Sequence, residues 1–238
     1  MTRTIALWAG PRTGSTATMY SFAQRQDTKV MDEPLFGHFL QHTGASRPSR
    51  DKVLASMPTS SQEAIASMAR RPVDPAILFL KHMANHTEGL AWSDLDGPDH
   101  RHVLLTRHPD GVLPSYAAHV ASPSLLDLGY EHQTDILQLA PERTTVVTAE
   151  SLHAEPEAVL RKLCHWAEIP WDPAMLHWPA GPRPEDGIWA TYWYEGVHAS
   201  KGWESRILNT GSVPESLHPL REQSLELYHA LAAHAIQP

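Results

Sequence analysis

The stretch "TIALWAGPRTGSTATMYSFA", residues 4–23, constrains the fold more than any other part of this chain. A short apolar run stops at Gly10 and Pro11, a glycine-bracketed turn follows, and apolar residues then recur at helical spacing behind Ser15 and Thr16. The order is strand, tight turn, helix. The turn carries Pro11, Arg12, Thr13, Gly14, Ser15 and Thr16 and no acidic side chain, a composition suited to an anion held by backbone N–H groups. Its glycines let the backbone approach a ligand, and the helix dipole favours negative charge at that end.

The same alternation continues downstream. Residues 28–34, 75–83, 102–107 and 143–152 read as four more strands, and 155–169 and 218–236 as amphipathic helices. Residues 44–62, rich in Ser, Pro and charge, read as a surface connection with little regular structure and a candidate lid. Prolines break up 170–184. Apolar strands alternating with helices imply a three-layer α/β/α fold with a central, mostly parallel sheet. No linker, repeat or charge run divides the 238 residues, so one domain over 1–238 is expected. In such sheets ligands sit at the carboxyl ends of strands, where Gly10, Pro34, Lys81 and Arg107 fall.

Charge and cysteine usage narrow the function classes. A net charge of −8 argues against nucleic acid as a partner, since that needs a basic footprint. A few arginines in one cleft can still bind a phosphate. No apolar run approaches about 18 residues, so no membrane span is expected. The single cysteine, Cys164, lies in a helical apolar pattern and fits a reducing, cytoplasmic setting. The 16 histidines form neither an HExxH pair nor a Cys/His cluster, and no metal site is expected.

The turn departs from the Walker A pattern GxxxxGK[ST]. Three residues separate Gly10 from Gly14, and Ser15 stands where the phosphate-contacting lysine belongs. The cation lies earlier, at Arg12. A second element, "LLTRHPDGVLPSYAAHV" (104–120), ends a strand at Arg107 and places Ser115 eight residues on, along a helix. With Pro11-Arg12-Thr13-Gly14-Ser15-Thr16, this pair resembles the sulfotransferases that use 3′-phosphoadenosine 5′-phosphosulfate (PAPS). The likeness extends over roughly residues 4–170 and includes "AESLHAEPEAVLRKLCHWAEIP" (149–170).

That resemblance implies a P-loop-NTPase-like sulfotransferase architecture, with PAPS as cofactor and its desulfated form, PAP, as product. The loop 11–16 would hold the 5′ end, Arg107 and Ser115 the 3′-phosphate. Lys201-Gly202, in "SKGWESR", is similar to the family's C-terminal element over the 3′-phosphate. Where many soluble members carry a tryptophan after the loop, this chain has Ala17, so Trp189, Trp193 and Trp203 become the candidates to stack on adenine.

Sulfuryl transfer needs stabilisation of charge on the leaving phosphate, assigned to Arg12, and a general base for the acceptor proton. Glu33, His86 and His82 are the candidate bases. Lys81 would contact the sulfonate or pair with Glu33, and Asp32 would orient Arg12 or the loop. The acceptor is expected to be a small molecule bearing a hydroxyl or an amine. Two other readings stand beside this one: a nucleotide-dependent kinase or other phosphotransferase with a degenerate loop, and a nucleotide-binding protein without catalysis.

Overall fold

Near-continuous burial of residues 4–9, 77–82, 102–106 and 144–147 builds the core. In a computed structural model that describes residues 2–69, 76–120, 122–208 and 210–238, β1 (Arg3–Ala9), β2 (Thr28–Asp32), β3 (Ile77–Met83), β4 (His100–Thr106) and β5 (Thr144–Thr148) form one sheet in the order β2-β3-β1-β4-β5. Every neighbouring pair is parallel. On one face Ile5, Leu7, Phe79 and Leu105 pack under α1 (Ser15–Ala23) and α9 (Pro156–Trp166), the latter preceded by α8 (Ala149–Ala154). On the other, Ala6, Trp8, Leu78, Leu80 and Leu104 meet α4 (Ser61–Ala69), α5 (Pro109–Ala117), α6 (Leu125–Leu128), α7 (Tyr130–Leu139) and α12 (His218–Ala232). Helices on both faces of a parallel sheet make three layers. A smaller cluster joins α2 (Phe36–Thr43) and α3 (Arg50–Ser56) to α10 (Ala190–Trp193), with Tyr194 between α10 and α11 (Glu195–His198).

Residues 44–62 differ from the expectation. They contain α3 and the start of α4, and they are not an irregular lid. Two things override the polar composition. Val53 and Ala64 are fully buried, and Ser60 accepts from Glu63 N (3.2 Å) while its hydroxyl donates to the Glu63 carboxylate (2.9 Å). This Ser-x-x-Glu arrangement starts a helix. The fifth strand is also shorter than read, because Thr148 accepts from Ser151 N and caps α8 there. Pro75, the first residue of the expected third strand, lies outside the described residues.

Strand alternation separates Lys81 from its neighbour. His82 faces the side of Trp8 and Leu80, is 1 % exposed, and stacks on the Trp8 indole at 4.3 Å. Trp8 Nε1 donates to His102 Nδ1 (3.1 Å), and the other His102 nitrogen contacts Asp96 at 3.0 Å. Burial pushes His82 down to about 3 and His102 to about 4. Unfolded, both titrate near 6.5. The folded state therefore binds fewer protons, so stability is complete above pH 6.5 and falls as pH drops, by about 1.4 kcal/mol per pH unit for each ring. Melting temperature is expected to decline steeply from pH 6.5 to 4.5, and His82→Phe, which keeps the stack, should remove about half of that slope. Thermal melts of both proteins across that window check it; equal slopes would exclude His82 as a source.

Candidate active site

The turn after β1 is built to present backbone donors. Arg12 takes φ 60° and Gly14 φ 88°, so two left-handed residues fold the chain back before α1 begins. Gly14 is the N-cap of α1 and has no side chain to satisfy the helix's first N–H groups. Ser15, Thr16 and Ala17, which carry the first of those groups, line a cavity of about 520 Å³. That volume lies within the usual range for small-molecule sites. A Cβ on Gly14 would meet His153 Nε2 at 3.1 Å, so glycine serves both backbone and packing here.

Arg107, just after β4, reaches the same cavity. Its Nη1 donates to the Arg12 carbonyl at 2.8 Å, while Arg12 Nε donates to Ser115 Oγ at 2.8 Å. The two sequence elements 95 residues apart thus interlock, and both guanidinium groups line the cavity. Gly111 makes room for this, since a Cβ there would lie 2.6 Å from Arg107 Nε. Tyr130 donates to the Arg107 carbonyl (2.6 Å), and Glu150 accepts from His108 N (3.0 Å), which holds the strand end in place.

A second group of side chains forms another part of the wall. Glu33 follows β2 with φ 45°, an uncommon conformation for a residue with a side chain, and its N–H donates to Lys81 O at 2.7 Å. Lys81 Nζ donates to the Glu33 carboxylate, lies 3.1 Å from Asp32 Oδ1, and donates to the Tyr194 hydroxyl at 2.9 Å. That hydroxyl lies 2.7 Å from Asp32 Oδ2 as its donor and accepts from Trp189 Nε1 at 3.1 Å. Burial lifts Glu33 above the ordinary carboxylate range, against the pull of Lys81, and the two carboxylates hold Lys81 well above its own range despite burial. His86 is sandwiched between Phe36 (4.9 Å) and Phe39 (4.6 Å), with Nδ1 3.9 Å from Glu33 Oε2. Burial, then Lys81, keeps its imidazole neutral and weakly basic.

Of the residues expected at the site, Pro11, Arg12, Gly14, Ser15, Thr16, Arg107, Glu33, Lys81, His86 and Gly202 border the cavity. Ser115 is joined to it through Arg12. Four residues sit otherwise. The Thr13 hydroxyl is turned into the loop and donates to Gly10 O at 2.9 Å. His82 points to the opposite face of β3. Asp32 engages Lys81 and Tyr194 instead of Arg12 or the loop. Lys201 is exposed and absent from the cavity wall, where Arg206 of the same stretch takes part, its N–H donating to His153 O at 2.8 Å. Glu33 arrives although β3 separates β2 from β1.

Several wall residues were not singled out by the sequence: Arg47, Asp127, Tyr194 and Trp178 lie in no motif, and His153 and Arg206 lie in stretches whose other residues drew the attention. Arg47 and Asp127 form an ion pair across 80 residues. Trp203 packs edge-on to both Trp178 (5.7 Å) and His153 (5.2 Å), and Ala17 packs on the cluster that holds the two indoles. Trp189 and Trp193 instead accompany Phe36, Tyr194 and Tyr116. Among the described residues no group of His, Cys, Asp or Glu could hold a metal ion, and no helix is long and apolar enough to cross a membrane.

Two curated Arabidopsis thaliana proteins, "Branched-chain-amino-acid aminotransferase-like protein 1" and "protein 2", are 39% and 38% identical to the chain over 231 and 233 residues. The matches cover 95% and 97% of this chain and 41% of each relative, so the chain spans about two fifths of the curated proteins it matches. Among solved structures, the sulfotransferase from Alicyclobacillus acidocaldarius superposes with a TM-score of 0.59 at 12% identity, covering 99% of this chain and 98% of that one. The sulfotransferase domain from the curacin biosynthetic pathway gives 0.56 at 15% identity over 100% and 99%, and that of the Synechococcus PCC 7002 olefin synthase 0.55 at 18% over 94% of each. These structures share the fold. The family model described as "Sulfotransferase domain" matches residues 3–235, and the chain, with its parallel sheet and its arginine-lined turn, belongs to that family.

Proposed function

We propose that this chain is a PAPS-dependent sulfotransferase that moves a sulfuryl group to the hydroxyl or amine of a small-molecule acceptor. One observation carries the reading: the uncapped start of α1, Arg12 and Arg107 border the same cavity as the buried carboxylate of Glu33. A nucleotide with anions at both ends needs two groups of donors, and these elements supply them. The first would be the N–H groups of residues 14–17, the hydroxyls of Ser15 and Thr16, and Arg12. The second would be Arg107 and Ser115, with Arg206 in the place first assigned to Lys201. Trp203 and Trp178 offer adenine an aromatic wall beside Ala17.

PAPS, when bound, supplies the sulfuryl group and leaves as PAP. Arg12 would stabilise the charge that grows on the departing phosphate, as a cation held in place by its hydrogen bond to Ser115. Glu33 would take the proton from the acceptor, whose body would lie against Phe36, Trp189, Trp193 and Tyr116. Lys81, saturated by Asp32, Glu33 and Tyr194, would act on Glu33 and not on the sulfonate. Burial weakens His86 as a base by holding its imidazole neutral.

Nucleotide selectivity tests the reading. At about a hundredfold excess over its Kd, PAP without magnesium is expected to raise the melting temperature by roughly 5–10 °C. ATP with magnesium should raise it far less, and the reverse preference would favour a phosphotransferase. A PAPS-supplied screen of hydroxyl and amine compounds, read by mass spectrometry as gain of one SO₃, then identifies the acceptor. A strong PAP shift with no transfer to any compound would favour a nucleotide-binding protein without catalysis.

A further inference from the structure

Two carboxylates share one cation beside the cavity. Lys81 Nζ, on β3, donates to Glu33, lies 3.1 Å from Asp32 Oδ1 at the end of β2, and donates at 2.9 Å to the Tyr194 hydroxyl. Tyr194, between α10 and α11, lies 2.7 Å from Asp32 Oδ2 through its own hydroxyl proton. All four residues are buried. The other titratable groups facing Glu33 are His86, with Nδ1 at 3.9 Å, and Tyr116 on α5, which interacts with the Glu33 charge at longer range. Both are neutral at pH 7: His86 is held in that form by burial, and Tyr116 is pushed up to about 12.

Charge counting gives the cluster its character. Ionised Asp32 and Glu33 against one ammonium leave a net charge of −1. A carboxylate paired one-to-one with a buried ammonium is held in its charged form and accepts a proton poorly. Here Lys81 donates to Glu33 and Tyr194 and also pairs with the Asp32 carboxylate, and Glu33 receives only part of its charge. The φ of 45° at Glu33 and the bond from its N–H to Lys81 O fix its backbone beside Lys81, whose ammonium donates to the carboxylate.

We propose that Asp32 and Tyr194 are positioning residues for Glu33: by drawing Lys81 toward themselves they leave the Glu33 carboxylate anchored in place yet able to accept a proton. The inference rests on reading Glu33 as the general base, and it adds the two residues that set its strength. It also explains why Asp32, Lys81 and Tyr194 are buried together when a nonpolar packing of the same space would cost less desolvation.

The test reads Glu33 directly and needs no acceptor. In the full chain saturated with PAP, the Glu33 carboxyl carbon is followed by ¹³C NMR against pH, its signal assigned by its disappearance in Glu33→Gln. Asp32→Asn removes the competing charge and is expected to lower the Glu33 midpoint by about one pH unit. Tyr194→Phe, which covers the case that Asp32→Asn does not fold, frees one Lys81 donor and should lower the midpoint by a smaller amount. A merely structural role for either residue would lower melting temperature and leave the midpoint alone. Midpoints within roughly 0.3 of wild type, or raised, in the variants that fold overturn the inference. The turnover of Glu33→Gln reports separately on whether Glu33 is the base, so the two failures are distinguishable.

Discussion

Arg107→Ala should weaken PAP binding by about two orders of magnitude while leaving the fold intact. Charge-assisted hydrogen bonds to a phosphate contribute about 1.5–3 kcal/mol each, and a guanidinium offers two in parallel. The substitution also removes the 2.8 Å bond from Nη1 to the Arg12 carbonyl, so the turn loses the brace that holds its left-handed residues. Arg107→Lys keeps the charge without the fork and should fall between the two. Isothermal titration with PAP at fixed salt measures this. A Kd within threefold of wild type in Arg107→Ala would remove Arg107 from the nucleotide site.

Glu33→Gln should lower kcat by about 10²–10⁴, the usual contribution of a general base, with PAP affinity within about threefold of wild type. Because burial raises the Glu33 carboxyl above the ordinary range, the acid limb of the wild-type kcat profile should lie above the pH at which an exposed glutamate titrates. The working form is the carboxylate, so activity rises with pH through that limb and is lost below it. The limb should vanish in Glu33→Gln. A variant that retains turnover would pass the base to His86, the remaining candidate on the cavity wall.

Much of this architecture could be read from the chain because its signals are local. The β1 run stops at Gly10 and Pro11, and the eight-residue step from Arg107 to Ser115 spans a strand end and one helix, a pattern that was legible through its resemblance to the family. Strand parity would also have separated Lys81 from His82, since adjacent residues of a strand point to opposite faces. The α4 helix announced itself through Ser60 and Glu63, a cue outweighed by the polar composition around it. Long-range partners left no such trace. Tyr194 meets Lys81 across 113 residues, Arg47 meets Asp127 across 80, and Arg206 enters the cavity only because the irregular path after Lys201 turns back along His153. No periodicity encodes those meetings; tertiary packing does.

The segment 183–198 is riveted at several points: Asp186 accepts from Tyr20 of α1 at 2.6 Å, and Asp32 accepts from both Gly187 N (3.1 Å) and the Tyr194 hydroxyl. A mould fastened in this way does not stretch to fit its cast. On the proposed function, retuning this chain for bulkier acceptors would fall to rings that can be trimmed without loosening a rivet, Trp193 and Tyr116 first, while changes to the course of the segment would disturb proton removal along with guest size.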